Sequence, residues 1–86
     1  MASIGERFTS AQERAKALTR RPSNEELLEL YALYKQGTEG DASGSRPGMF
    51  DLKGRAKFDA WTGKKGLGKE KAQESYADLV DRLAKG

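Results

Sequence analysis

Apolar residues in this 86-residue chain recur at intervals of three and four, and no stretch alternates apolar with polar side chains as a half-buried strand does. The first such stretch carries its apolar side chains at four positions, Phe8, Ala11, Ala15 and Leu18. This spacing predicts a helix over about residues 7–18. Pro22 ends it, because a residue that precedes proline is disfavoured in the helical region.

A second helix is predicted over residues 24–38. Ser23 and Glu26 form the pattern of a capping box, in which each side chain bonds the backbone amide of the other residue. Apolar side chains then follow at i, i+3, i+4 and i+7, namely Leu27, Leu30, Tyr31 and Tyr34. Glycines at positions 37 and 40 are expected to close this helix.

Two further helices follow a loop that has no helical period. The loop, at about residues 38–50, is longer than most connections, and such loops are often functional. Asp51 is placed to cap a third helix over 52–62, and a fourth is predicted over 69–84 after a glycine-rich break. The fold class is therefore all-α, with four helices in a single domain spanning residues 1–86.

Composition favours binding over catalysis. The chain has no cysteine and no histidine, which removes thiolate chemistry and the side chain best suited to proton transfer near neutral pH. Its net charge of +3 permits an anionic partner without naming one. No apolar run is long enough to span a membrane, and the N-terminus lacks a secretory signal, so we expect a cytoplasmic protein.

Two of the predicted helices combine aromatic and cationic side chains on one face. Leu27, Tyr31 and Lys35 follow one another at intervals of four in the second helix, as do Lys53, Lys57 and Trp61 in the third. If these faces meet, they form a pocket with an apolar floor and a cationic rim, suited to a phosphate-bearing amphipathic ligand. Helical spacing of aromatic residues is more often a sign of plain core packing, and the pattern by itself leaves that alternative open.

Longer motifs resemble a known family. A YxxYKQ segment occupies residues 31–36, and RPGMxDxKGxAKxxAW occupies residues 46–61, with Gly40-Asp41 between them. These segments closely resemble the acyl-CoA-binding protein family, and the resemblance extends from about Phe8 to Lys85. It implies an up-down-down-up four-helix bundle that binds medium- to long-chain acyl-CoA esters. Such a protein serves as an intracellular acyl-CoA carrier and pool former, without catalysis.

The resemblance also implies roles for nine residues. Tyr31, Lys35 and Lys57 are expected to hold the 3′-phosphate of the adenosine. The remaining six are expected to contribute to the headgroup and thioester region (Lys16, Lys53), to border the adenine and the acyl groove (Leu27, Leu28, Tyr34), and to close the pocket (Tyr76). No cofactor, metal or catalytic residue is expected.

Three other interpretations lead to different experiments. A basic helical domain with a tryptophan can bind DNA, but acidic residues are interleaved with the basic ones here, so no nucleic-acid partner is expected. A hydrolase or transferase acting on CoA esters would release free thiol. An interaction module cut from a larger protein is disfavoured by the initiating Met1. We expect a monomer that contacts membranes or acyl-CoA-using enzymes only transiently.

Overall fold

Four helices account for most of the chain in a computed structural model that describes residues 3–85. They are α1 (Ile4–Lys16), α2 (Asn24–Glu39), α3 (Leu52–Thr62) and α4 (Lys69–Lys85). No β-strand occurs between residues 3 and 85. Helix α3 has the predicted bounds, whereas α2 and α4 each extend one residue further than the apolar spacing predicts.

The predicted bounds of the first helix, 7–18, are wrong at both ends. Helix α1 begins three residues earlier because Ser3 and Glu6 form a capping box: Ser3 Oγ accepts from the Glu6 amide at 3.1 Å, and the Ser3 amide donates to Glu6 Oε1 at 3.2 Å. The helix ends at Lys16, where the Ala17 amide donates to the Arg14 carbonyl at 3.0 Å in a tightened last turn.

The caps of the next two helices form as predicted. Ser23 Oγ accepts from the Glu26 amide at 3.1 Å, and the Ser23 amide donates to Glu26 Oε1 at 2.8 Å. The Asp51 carboxylate accepts from the Gly54 amide at 3.0 Å at the start of α3. Helix α2 stops at Gly40, whose φ of 83° lies in the left-handed region that glycine adopts readily.

Contacts between helices give their relative directions. Arg7 pairs with Asp78 at 3.1 Å and Arg14 pairs with Asp81, so that later residues of α1 meet later residues of α4 and the two helices run parallel. The Arg14 guanidinium holds the pKa of the Asp81 carboxyl below its usual value. These contacts join the first and last helices of the chain.

Helix α2 packs against both α4 and α3, and its direction is opposite to that of α4. The Gln73 side-chain amide in α4 donates to the Gly37 carbonyl in α2 at 2.9 Å. Earlier in α2, the Tyr34 ring lies 6.4 Å from the ring of Tyr76, which comes later in α4 than Gln73. Since earlier residues of α2 lie near later residues of α4, these helices are antiparallel. With α1 and α4 parallel, this arrangement matches the predicted bundle.

The core lies between α1, α2 and α4. Its buried side chains are Phe8, Ala11, Leu30, Leu33, Ala72, Tyr76, Ala77, Leu79 and Val80. Helix α3 stays outside this cluster, packs only against α2 among the described helices, and contributes one buried residue, Trp61. Among the described helices, α3 is thus attached to the bundle through α2 alone, and a groove can form between α2 and α3.

A buried glutamine fixes the end of α2 to the loop after α3. Gln36 has no exposed surface, and its side-chain amide donates to Asp41 Oδ1 and to the Leu67 carbonyl, each at 2.8 Å. Asp41 also accepts from the Gly66 amide at 2.9 Å, and the two donors keep the pKa of its carboxyl low. These bonds set the end of α2 against the turn that leads into α4.

Candidate functional site

The faces of α2 and α3 that carry the predicted lysines and tyrosine enclose a groove, which we name the α2–α3 groove. Its volume is about 500 Å³, within the range of about 300–1,000 Å³ for small-molecule sites. It is lined by Arg21, Asn24, Leu27, Leu28, Tyr31, Leu52, Lys53, Ala56 and Lys57. Leucines supply most of the floor, so the groove offers an apolar surface to a ligand.

The charged lining of the α2–α3 groove is cationic. Arg21, Lys53 and Lys57 contribute positive charge, and no carboxylate belongs to the described residues that line it. The Lys57 ammonium lies over the Tyr31 ring, 5.4 Å from its centroid, and forms no ion pair within residues 3–85. A phosphate at this rim can therefore contact Lys57, whose charge is not paired with a carboxylate within residues 3–85.

Lys35, the third residue predicted to hold the phosphate, has its contacts outside the lining of the α2–α3 groove. Its ammonium lies over Trp61, 4.8 Å from the ring centroid, and bonds to the Glu39 carboxylate one turn further along α2. This bond raises the pKa of Lys35. Lys35 consequently does not line the α2–α3 groove in this structure.

A second groove, which we name the tyrosine groove, lies beside the first along α2. Its volume is about 390 Å³, and it is lined by Gln12, Ala15, Lys16, Leu18, Pro22, Leu27, Leu30, Tyr34 and Tyr76. Leu27 is common to both grooves, so they adjoin each other. Lys16 brings a positive charge to this lining, and its ammonium lies 3.8 Å from the Glu13 carboxylate.

Three aromatic rings form a cluster at the tyrosine groove. The Phe8 ring meets Tyr76 edge-on at 5.2 Å between centroids, and Tyr34 lies 6.0 Å from Phe8 and 6.4 Å from Tyr76. Tyr76 is buried, which raises the pKa of its hydroxyl, whereas Tyr34 is 39% exposed. Packed rings with one open face provide a rigid stacking surface for a planar ligand group.

The two grooves bring together eight of the nine predicted site residues. The α2–α3 groove contains Leu27, Leu28, Tyr31, Lys53 and Lys57, and the tyrosine groove contains Lys16, Leu27, Tyr34 and Tyr76. Lys35 is the exception. Sequence reasoning missed Arg21, Asn24, Leu52 and Ala56 in the first groove; Ala56 lies three residues after Lys53, a spacing that could have revealed it.

Comparison with known proteins shows the family of this chain. The sequence model of the family described as acyl CoA binding protein matches residues 5–80. The chain belongs to the acyl-CoA-binding protein family. The nematode Caenorhabditis elegans has an acyl-CoA-binding protein homolog 1 that is 57% identical over 76 residues, covering 88% of each chain. An acyl-CoA-binding protein homolog from Manduca sexta is 51% identical over 82 residues, covering 94% of this chain and 91% of the relative.

Solved structures of this family agree with the fold. The crystal structure of acyl-CoA-binding protein 2 from Oryza sativa has a TM-score of 0.92 and 43% identity, covering 96% of this chain and 92% of that one. Family membership and the all-α bundle expected from the motifs are both confirmed. Within residues 3–85, no helix is long and apolar enough to cross a membrane, and no group of acidic side chains is placed to hold a metal ion.

Proposed function

We propose that this protein binds medium- to long-chain acyl-CoA esters and carries them without chemical change. The observation that supports this most directly is the union of an apolar floor and a cationic charged lining in the α2–α3 groove, in a chain that belongs to the acyl-CoA-binding protein family. An acyl-CoA combines a long apolar chain with phosphates. The groove offers both kinds of surface within one volume.

The two adjoining grooves together suit such a ligand. We assign Leu27, Leu28 and Tyr34 to the border of the adenine and the acyl chain, and Tyr76 to the closure of the pocket. Lys53 and Lys16 would then serve the headgroup and thioester region. The 3′-phosphate falls to Tyr31, Lys57 and Lys35.

Binding of this kind is an equilibrium process. Burial of apolar surface contributes about 0.8 kcal/mol per methylene, so affinity should rise with acyl length until the groove is full. The cations orient the phosphates and add charge pairing. No step breaks the thioester, and the protein uses no cofactor.

The test of this function is a titration of the whole chain with palmitoyl-CoA, palmitate and free CoA. Palmitoyl-CoA should bind most tightly, because palmitate lacks the phosphates and free CoA lacks the chain. Prolonged incubation should release no free thiol. Palmitate binding as strong as that of palmitoyl-CoA would refute the proposal, and thiol release would show an enzyme instead.

A specific observation favours transient contact with a membrane. Met49, Phe50 and Leu52, which we name the apolar rim, are 69%, 94% and 74% exposed. Exposed apolar side chains that cluster mark interaction surfaces. Leu52 also lines the α2–α3 groove together with Lys53, so the apolar rim borders both the groove and its cations. An anionic lipid surface complements this combination, and we propose it as the source or destination of the ligand.

Replacing Phe50 by serine should reduce retention on phosphatidylserine-containing vesicles by about fivefold or more, because a buried phenylalanine side chain contributes up to about 3 kcal/mol. The melting temperature and the affinity for palmitoyl-CoA in solution should not change, since this ring is almost fully exposed. Phe50→Leu is the matched control and should keep vesicle binding. Equal retention of Phe50→Ser and the unaltered protein would leave an acyl-CoA-using enzyme as the partner of this rim.

A further inference from the structure

The two lysines near the proposed phosphate position differ in whether a carboxylate pairs with them. Lys57 in α3 lies over Tyr31 of α2, and Lys35 in α2 lies over Trp61 of α3, so the two lysines occupy reciprocal positions across the helix pair. Lys57 has no carboxylate partner among residues 3–85, whereas Lys35 is bonded to Glu39. One lysine of the pair is therefore free for an anion, and the other is already neutralised.

We propose that Glu39 lowers the affinity for the 3′-phosphate by competing with it for Lys35. This inference rests on the proposed function, because it concerns how strongly that same site holds its phosphate. The Lys35 ammonium cannot contact the Glu39 carboxylate and a phosphate across the groove equally well at the same time. Each binding event must therefore break the Lys35–Glu39 pair or forgo the second lysine.

The geometry of the pair makes this competition reversible. Lys35 precedes Glu39 by one turn, and this order is weaker than the one with the glutamate first, because it works against the helix dipole. The Glu39 side chain is 53% exposed, so water screens the attraction. A phosphate carries more charge than a carboxylate and can displace it. Glu39 thus tunes affinity without abolishing it.

The bond to Glu39 also accounts for the position of Lys35 outside the groove lining. Its side chain is only 21% exposed, and its ammonium lies over the Trp61 ring while it pairs with Glu39. Without the Glu39 carboxylate, the ammonium loses this ion pair. The side chain can then place its charge at a phosphate beside Tyr31.

Glu39→Gln removes the charge and keeps the shape. Calorimetric titration should show palmitoyl-CoA binding about two- to fivefold more tightly to this variant, since an ion pair that water screens contributes up to about 1 kcal/mol. Palmitoyl-dephospho-CoA, which lacks the 3′-phosphate, should bind the variant and the unaltered protein equally. Glu70→Gln, which removes an exposed carboxylate outside both groove linings, is the matched control for net charge.

A double-mutant cycle tests whether the effect of Glu39→Gln depends on Lys35. In a Lys35→Ala background, the Glu39→Gln change should no longer affect palmitoyl-CoA binding. The inference is overturned if Glu39→Gln leaves palmitoyl-CoA affinity unchanged, if it tightens both ligands alike, or if its effect persists without Lys35. These outcomes are distinct from failure of the proposed function, in which the unaltered protein would not bind palmitoyl-CoA at all.

Discussion

Lys57→Ala is expected to weaken palmitoyl-CoA binding by about 10- to 100-fold, since a hydrogen bond to a charged group contributes about 1.5–3 kcal/mol. Lys57 lines the α2–α3 groove, and its ammonium is held by the Tyr31 ring and by no carboxylate within residues 3–85. Its full charge is therefore available to a phosphate. Calorimetric titration measures the change directly.

The affinities of alanine variants at two other lysines are the comparison for this experiment. Lys35→Ala should weaken binding less than Lys57→Ala, because the Lys35 charge is shared with Glu39. Lys71→Ala, an exposed position outside both groove linings, should have little effect and controls for net charge. The melting temperature of the unliganded Lys57→Ala protein should be close to that of the unaltered protein. Unchanged affinity in Lys57→Ala would contradict the assignment of the phosphate to this rim.

Gln36→Ala is expected to cost about 2–4 kcal/mol of unfolding free energy, from the cavity it leaves and the two hydrogen bonds it removes. Gln36 is fully buried, and its side-chain amide links α2 to both Asp41 and the Leu67 carbonyl. For a domain of this size the melting temperature should fall by about 10 °C or more. Differential scanning calorimetry provides the measurement.

Gln73→Ala is the matched control for that substitution. Gln73 also donates one side-chain hydrogen bond to a backbone carbonyl, that of Gly37, but its side chain is only partly buried. Its loss should therefore lower the melting temperature less than the loss of Gln36. A larger effect at Gln73 than at Gln36 would mean that the α2–α4 contact, and not the link to the loop, limits stability.

Local chemistry explains why most of the fold could be predicted. Ser23 and Asp51 cap their helices through bonds to residues three positions away, and such short-range bonds are visible in the sequence. The same pattern at Ser3 and Glu6 escapes a prediction based on apolar spacing, which begins only at Phe8. Cap residues are therefore better markers of a helix start than its first apolar side chain is.

The candidate site was less predictable because it depends on contacts between distant residues. Lys35 has Trp61 and Glu39 within reach, and the spacing of residues cannot decide which of these directs its charge. Arg21 precedes α2, and only the folded chain brings it to the lining of the α2–α3 groove. The high exposure of Phe50 is likewise a property of the folded loop, since a phenylalanine in a motif is equally consistent with a core position.

The attachment of α3 to α2 alone among the described helices has a consequence for how the empty and loaded proteins differ. With Trp61 as its one buried residue, α3 can detach in a local opening that costs less than global unfolding. A ligand that touches both walls of the groove adds a second attachment, and its binding energy then appears as slower amide hydrogen exchange throughout α3. Cargo thus stiffens α3, the helix beside the apolar rim, so that the proposed membrane contact involves a more rigid surface in the loaded protein than in the empty one.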